Sequence, residues 1–164
     1  MSFRMYMSAV ISGRGEQLYD ALVAPSLSEY LSPVFEQICA QYLLTGKAYD
    51  EKTPFFIGDV GRWWENNSRK RRQEEIDLLA AADGGKKLLL GECKWTHKPL
   101  SETVVYDLIQ KGEDVFSGAE KWYIFFAKEG FTDQAEKVAR ADDHIRLITF
   151  SELNRNCIPA AKSL

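Results

Sequence analysis

Two short stretches, Glu75-Ile76-Asp77-Leu78 and Gly91-Glu92-Cys93-Lys94-Trp95, hold an aspartate, a glutamate and a lysine where a metal-dependent nuclease needs them. Asp77 and Glu92 offer hard carboxylate oxygens, which suit Mg²⁺ or Mn²⁺ with water and substrate phosphate completing the shell. A metal so held lowers the pKa of a bound water and polarises the phosphorus centre. Lys94 supplies a mobile positive charge, able to orient or deprotonate that water or to neutralise charge developing on the phosphate.

Positioning these groups requires a hairpin. Asp83-Gly84-Gly85-Lys86 lies between the two stretches as a turn, which predicts that residues 74–82 and 87–95 pair antiparallel. Side chains alternate along a strand, so Glu92 and Lys94 project to the face shared by Leu88 and Leu90, while Cys93 and Trp95 point the other way. A carboxylate and an ammonium at the end of an apolar strand are costly to desolvate unless paired or metal-bound. The plainer alternative is an Asp77–Lys94 ion pair across the hairpin. Glu74 and Glu75 read as surface charges at the strand start, although Glu75 shares the Asp77 face and is the natural substitute for it.

Around the hairpin the chain alternates in character. Residues 1–25 form a lead-in segment without a clean period. Ser26-Leu27-Ser28-Glu29 matches a capping box, and Ser32-Pro33 marks a second helix start. From there Val34, Phe35, Ile38, Cys39, Tyr42 and Leu43 recur at helical spacing up to Gly46, with Glu36 at the edge of that stripe. Residues 55–64 are aromatic-rich and extended, with Trp63 and Trp64 read as core or sheet cover. Asn66-Asn67-Ser68 and the basic run Arg69-Lys70-Arg71-Arg72 form a polar loop, a solvated one or a nucleic-acid contact.

After the hairpin, Pro99-Leu100-Ser101 opens a helix to about Phe116, with Val104, Val105, Leu108 and Ile109 facing the core. Trp122–Ala127 is a continuous apolar run, as in a strand covered on both faces. Thr132 or Asp133 caps a helix to about Ala141, and residues 145–150 give a last strand. The order helix, three strands, helix, strand, helix, strand predicts an α/β fold with a central mixed sheet flanked by helices and a crossover through the 100–117 helix. His97 reads as a surface-loop residue, and Tyr106 and Gln110 as helix-surface polarity.

The 164 residues and 45% hydrophobic content suit one domain with a real core. Its net charge of −3 and pI near 5.5 provide no global positive field for nucleic acid, so any such binding needs a local patch. Three cysteines (Cys39, Cys93, Cys157) lack metal-ligand spacing and cannot complete a disulfide framework, which reads as thiols in a reducing compartment. No signal-peptide pattern or membrane-spanning run occurs, so the expectation is a cytoplasmic chain with no membrane association.

A helix bearing Glu36, a hairpin bearing Asp77, then Glu92-Cys93-Lys94, a helix and a strand resembles the PD-(D/E)XK nuclease superfamily, whose fold is restriction-endonuclease-like. More narrowly, Leu31-Ser32-Pro33-Val34-Phe35-Glu36, Gly61-Arg62-Trp63-Trp64, Glu75-Ile76-Asp77 and Gly91-Glu92-Cys93-Lys94-Trp95 resemble a nuclease-like domain of unassigned function at the C-terminus of certain archaeal and bacterial AAA-type ATPases. Ile76 stands where the wider superfamily often has proline.

The resemblance implies catalytic roles for Lys94, Asp77, Glu92 and Glu36, with Asp77, Glu92 and Glu36 around Mg²⁺ or Mn²⁺ and Glu36 acting through an outer-shell water. It implies DNA as substrate and an ATPase part in the same longer protein. Residues 1–25 would join the two, residues 26–156 would be the nuclease-like domain, and residues 157–164 a tail; an oligomer is compatible with this. No G-x-x-x-x-G-K-[ST] loop occurs in the sequence itself. The other reading is a non-catalytic nucleic-acid-binding or protein-interaction module that keeps the fold.

Overall fold

Alternation along the apolar strands decides which helix packs where. A computed structural model describes residues 24–45, 53–67 and 72–157. The elements are α1 (Ala24–Leu43), β1 (Gly61–Asn67), β2 (Arg72–Ala82), β3 (Lys87–Lys94), α2 (Glu102–Val115), β4 (Glu120–Ala127), α3 (Asp133–Ala141), β5 (Ile145–Thr149) and α4 (Phe150–Cys157). The strands form a sheet ordered β1-β2-β3-β4-β5. The β1–β2 and β2–β3 pairs are antiparallel, whereas β3–β4 and β4–β5 are parallel. This is the expected α/β class: a central mixed sheet with helices on both faces. The parallel pairs need crossovers, which α2 and α3 supply.

Leu89, Cys93, Ile124 and Phe126 turn to one face, where Phe35, Cys39 and Tyr42 of α1 and Leu153 of α4 cover them. Leu88, Leu90, Tyr123 and Phe125 turn to the other, beneath Val105 and Leu108 of α2 and Ala135 of α3. β4 is therefore buried on both sides, as its unbroken apolar run predicts. The rings of Phe35, Trp95 and Phe150 meet at centroid distances of 5.1–6.1 Å. Through them α1 is locked to the end of β3 and the start of α4, directly behind Glu36 and Lys94.

Several details differ from the sequence reading. Pro33 does not start a helix; it lies inside α1, which already begins at Ala24 and so also contains the Ser26–Glu29 box. Proline removes one N–H bond to the preceding turn, but burial of Phe35, Cys39, Tyr42 and Leu43 holds the helix beyond it. The Ser32 hydroxyl donates to the Ser28 carbonyl at 2.8 Å. Val34 and Ile38 are exposed, so the buried stripe is narrower than the apolar spacing. The stretch from Thr53 to Val60 has no strand, and β1 starts only at Gly61.

The last strand stops at Thr149 because Thr149 and Glu152 form a reciprocal cap. The Thr149 N–H donates to Glu152 Oε2 at 2.8 Å and the Glu152 N–H to Thr149 Oγ1 at 3.3 Å, which starts α4. Trp63 packs edge-on against Phe116, whereas Trp64 is 61% exposed and does not belong to the core. The basic residues Arg69, Lys70 and Arg71, and the side chain of Arg72, lie outside the described residues. So do most of the lead-in and the tail. Among the described residues no helix is long and apolar enough to cross a membrane.

Candidate active site

The hairpin is paired only in its half nearest the turn. Five pairs join β2 to β3, from Ala82↔Lys87 to Leu78↔Gly91, and beyond Leu78 the two strands diverge. The divergence coincides with a β-bulge. Trp63 faces Ile76 and Gly61 faces Leu79, so the single residue Arg62 stands opposite both Asp77 and Leu78. Such a bulge bends its strand and re-aims a side chain. Here the Asp77 carboxylate enters the opening, and its Oδ2 accepts the Cys93 N–H at 2.8 Å.

Gly91 marks the last paired position because a Cβ there would lie 2.9 Å from the Leu78 Cβ and 3.1 Å from Ile124 Cγ2. The glycine in Gly91-Glu92-Cys93-Lys94 thus permits the close approach of β2 to β3 immediately before they part.

Asp77 lines clefts on both sides of the opening. One, of about 380 Å³, is walled by Glu74, Glu75, Glu92 and Lys94, with Asp107 and Lys111 reaching over from α2. The other, of about 230 Å³, is bordered by Glu36 of α1 and Arg62 of β1. Glu92 and Lys94 do share the Leu88 and Leu90 side of β3, and Lys94 Nζ lies 2.5 Å from Glu92 Oε1. The ion pair within the site is therefore Lys94–Glu92, not the Asp77–Lys94 pair considered as the plain alternative.

The electrostatics follow from this crowding. Burial, then the charges of Glu92 and Glu36, push the Asp77 carboxyl up to about 7, against the Cys93 N–H and Lys94, which favour its ionised form. Burial also raises Glu36, partly offset by Arg62. Burial alone would lower the Lys94 ammonium; the Glu92 charge and hydrogen bond, with Asp77, outweigh it, and its pKa stands above the ordinary lysine value. Cys93 and Cys39 are free, buried thiols, and their mutual hydrogen bond followed by burial drives Cys93 up, keeping it protonated and inert.

The sequence reading missed four contributors. Arg62 donates from Nη2 to Glu36 Oε2 at 2.9 Å, and its Nε is 2.7 Å from Glu75 Oε1. Glu75 is thus held by arginine. Lys111 Nζ donates to the Glu75 carbonyl at 2.5 Å, tying α2 to β2 where β2 has parted from β3. Asp107 shares its helix face with Lys111, four residues apart, a polar pair beside buried Leu108 that the sequence does carry. Glu74, expected at the surface, is buried, because the even-numbered residues of this part of β2 face inward with Ile76. His97 is exposed, as expected, with its ring nitrogens near Ser28 Oγ and Lys128 Nζ.

Asp77, Glu92 and Glu36 are hard oxygen donors of the kind that suit Mg²⁺ or Mn²⁺. Burial first, and then the repulsion of Glu92 and Glu36, disfavours the ionised Asp77 carboxylate, and a divalent cation would offset both. In the arrangement seen, however, no three histidine, cysteine, aspartate or glutamate side chains among the described residues stand together as a ready ligand set. Glu92 is turned to Lys94 and Glu36 to Arg62.

Residues 3–107 match the DUF234 family, archaea bacterial proteins of unknown function. The chain belongs to this family. No curated protein matches the sequence. Among solved structures, the chain is similar to a repair endonuclease from Pyrococcus abyssi at 13% identity and a TM-score of 0.43, over 70% of this chain and 46% of that one. It is also similar to AF1548, a protein of unknown function, at 17% identity, TM-score 0.46 and coverage of 77% and 71%. A third similar structure is an EndoMS complex with double-stranded DNA, at 14% identity, TM-score 0.41 and coverage of 70% and 44%. The chain spans less than half the length of the Pyrococcus structure.

Proposed function

We propose that this DUF234 chain is a divalent-metal-dependent phosphodiesterase acting on DNA and that it serves as the C-terminal module of an AAA-type ATPase. The observation that carries the catalytic part is the interaction of Asp77, Glu92, Glu36 and Lys94 across one opening between β2 and β3. The hairpin strands β2 and β3 and the separate helix α1 bring these charges to the two clefts that share Asp77, and burial with repulsion raises its carboxyl. A hairpin needing only one structural ion pair has no use for that expense.

Asp77, Glu92 and Glu36 would hold Mg²⁺ or Mn²⁺, which when bound supplies an acidified water and neutralises phosphate charge. Asp77 is fixed by the Cys93 N–H, so one carboxylate oxygen is oriented in advance. Lys94 stays charged well above neutral pH, and its ammonium would steady the water's oxygen for in-line attack and meet the charge growing on the phosphoryl oxygens. Glu36 would tune the site from outside the inner shell.

The test is cleavage of supercoiled and single-stranded DNA with Mg²⁺ or Mn²⁺ at low salt, where an acidic domain still binds phosphate. Lys94→Ala should remove cleavage and retain metal binding, whereas Asp77→Ala should remove both. Equal cleavage by Lys94→Ala and wild type would end the catalytic reading. The acidic walls of the larger cleft favour the second reading, a non-catalytic module that keeps the fold. Unchanged melting of the wild type in Mn²⁺ and Mg²⁺ would put that reading ahead. The ATPase association rests on the resemblance of the four sequence motifs. A P-loop upstream in the full gene product is its test.

A further inference from the structure

Arg62 carries two carboxylates from different elements, Glu36 of α1 and Glu75 of β2. Its side chain is 51% exposed and that of Glu36 only 18%, so the guanidinium sits at the water side of the carboxylate it covers. Ion pairs this open contribute little to stability, which leaves the fold with no strong need for this one. A guanidinium fork matches phosphate as well as carboxylate. Arg62 also stands opposite the bulge that aims Asp77, at the mouth of the smaller cleft.

Each carboxylate of the proposed site is therefore already engaged: Asp77 by the Cys93 N–H, Glu92 by Lys94, and Glu36 by Arg62. Resting on the metal-dependent reading above, we infer that Arg62 is a placeholder cation. It occupies Glu36 until a divalent ion enters, is then repelled by that ion, and turns its fork to the phosphate of the substrate. Arg62 is thus both a positioning residue for Glu36 and the link between metal loading and substrate binding.

The test titrates Mn²⁺ by calorimetry into the 164-residue wild type, Arg62→Gln and Arg62→Lys. It also measures anisotropy of a labelled single-stranded oligonucleotide in chelator and in saturating Ca²⁺. Removing a competing positive charge should tighten Mn²⁺ binding by Arg62→Gln on the order of fivefold. The same variant should lose most of the Ca²⁺-dependent gain in oligonucleotide binding. Arg62→Lys keeps the charge but cannot fork two carboxylates, so its Mn²⁺ affinity should fall between the two. These opposite signs separate the inference from structural support of Glu36, which would weaken Mn²⁺ and oligonucleotide binding together. Equal or weaker Mn²⁺ binding by Arg62→Gln, in a wild type that does bind Mn²⁺, overturns this inference alone. Should Arg62→Gln not fold, Mn²⁺ binding by Arg62→Lys no tighter than wild type overturns it. Binding of Mn²⁺ by none of the three proteins overturns both this inference and the metal-dependent reading.

Discussion

Replacing Asp77 by asparagine should stabilise the metal-free protein while abolishing its response to metal. Burial and the neighbouring Glu92 raise the Asp77 carboxyl from 3.8 to about 7. Between those values the folded chain keeps a proton that the unfolded chain has lost. Stability therefore falls as pH rises through that window and levels off above it. A shift of about three pK units corresponds to about 4 kcal/mol at most, and sharing the repulsion with Glu92 reduces it to roughly 2 kcal/mol or somewhat more. Asparagine keeps an oxygen for the Cys93 N–H but never ionises. At pH 8 it should therefore melt on the order of 5–10 °C above wild type, whereas near pH 4 the two should melt together. Mn²⁺ should reverse the order. It displaces the proton and stabilises wild type by mass action, leaving the variant unmoved. Scanning calorimetry from pH 4 to 8, with and without Mn²⁺, reads all of this. An Asp77→Asn protein less stable than wild type by the same amount at every pH would refute the reasoning, as would one that keeps the Mn²⁺ gain.

Three further changes probe the frame that holds the site. Gly91→Ala drives a Cβ to 2.9 Å from the Leu78 Cβ and 3.1 Å from Ile124 Cγ2 and should cost about 1–3 kcal/mol in chemical denaturation; an unchanged denaturation midpoint would show that β2 and β3 do not need this close approach. Thr149→Ala and Glu152→Ala each break the cap that turns β5 into α4 and should each cost about 1 kcal/mol, with the double variant costing less than their sum. Lys111→Met removes the ammonium from the Glu75 carbonyl and should cost roughly 1–2 kcal/mol, with faster amide exchange in residues 72–77 as its local signature; unchanged exchange there would mean that Lys111 does not secure the parted strand.

Much of the site was legible from local pattern alone. Alternation along β3 puts Glu92 and Lys94 on the side of Leu88 and Leu90, and this depends only on the two-residue repeat of an extended chain. The turn at Asp83-Gly84-Gly85 was equally readable, since Asp83, Gly84 and Gly85 all take positive φ, which glycine accepts at little cost. The unbroken apolar run of β4 signalled burial on both faces. The Thr149–Glu152 cap is written in the sequence as well, although the apolar, β-branched residues before it favour a longer strand.

Tertiary structure decided the rest. Whether Asp77 meets both Glu36 and Glu92 depends on a bulge and on where the hairpin stops pairing, and neither is written in residues 74–82 themselves. The pairing of Arg62 with Glu36 and Glu75 joins three separate elements, so no spacing in the chain encodes it. Pro33 stays within α1 because packing of the residues after it outweighs a local rule. The sequence by itself determined which residues share a strand face and where turns fall, because these are properties of adjacent residues. Only the folded chain determined which charges meet, because that depends on how β2 leaves β3 and on which helix covers the gap.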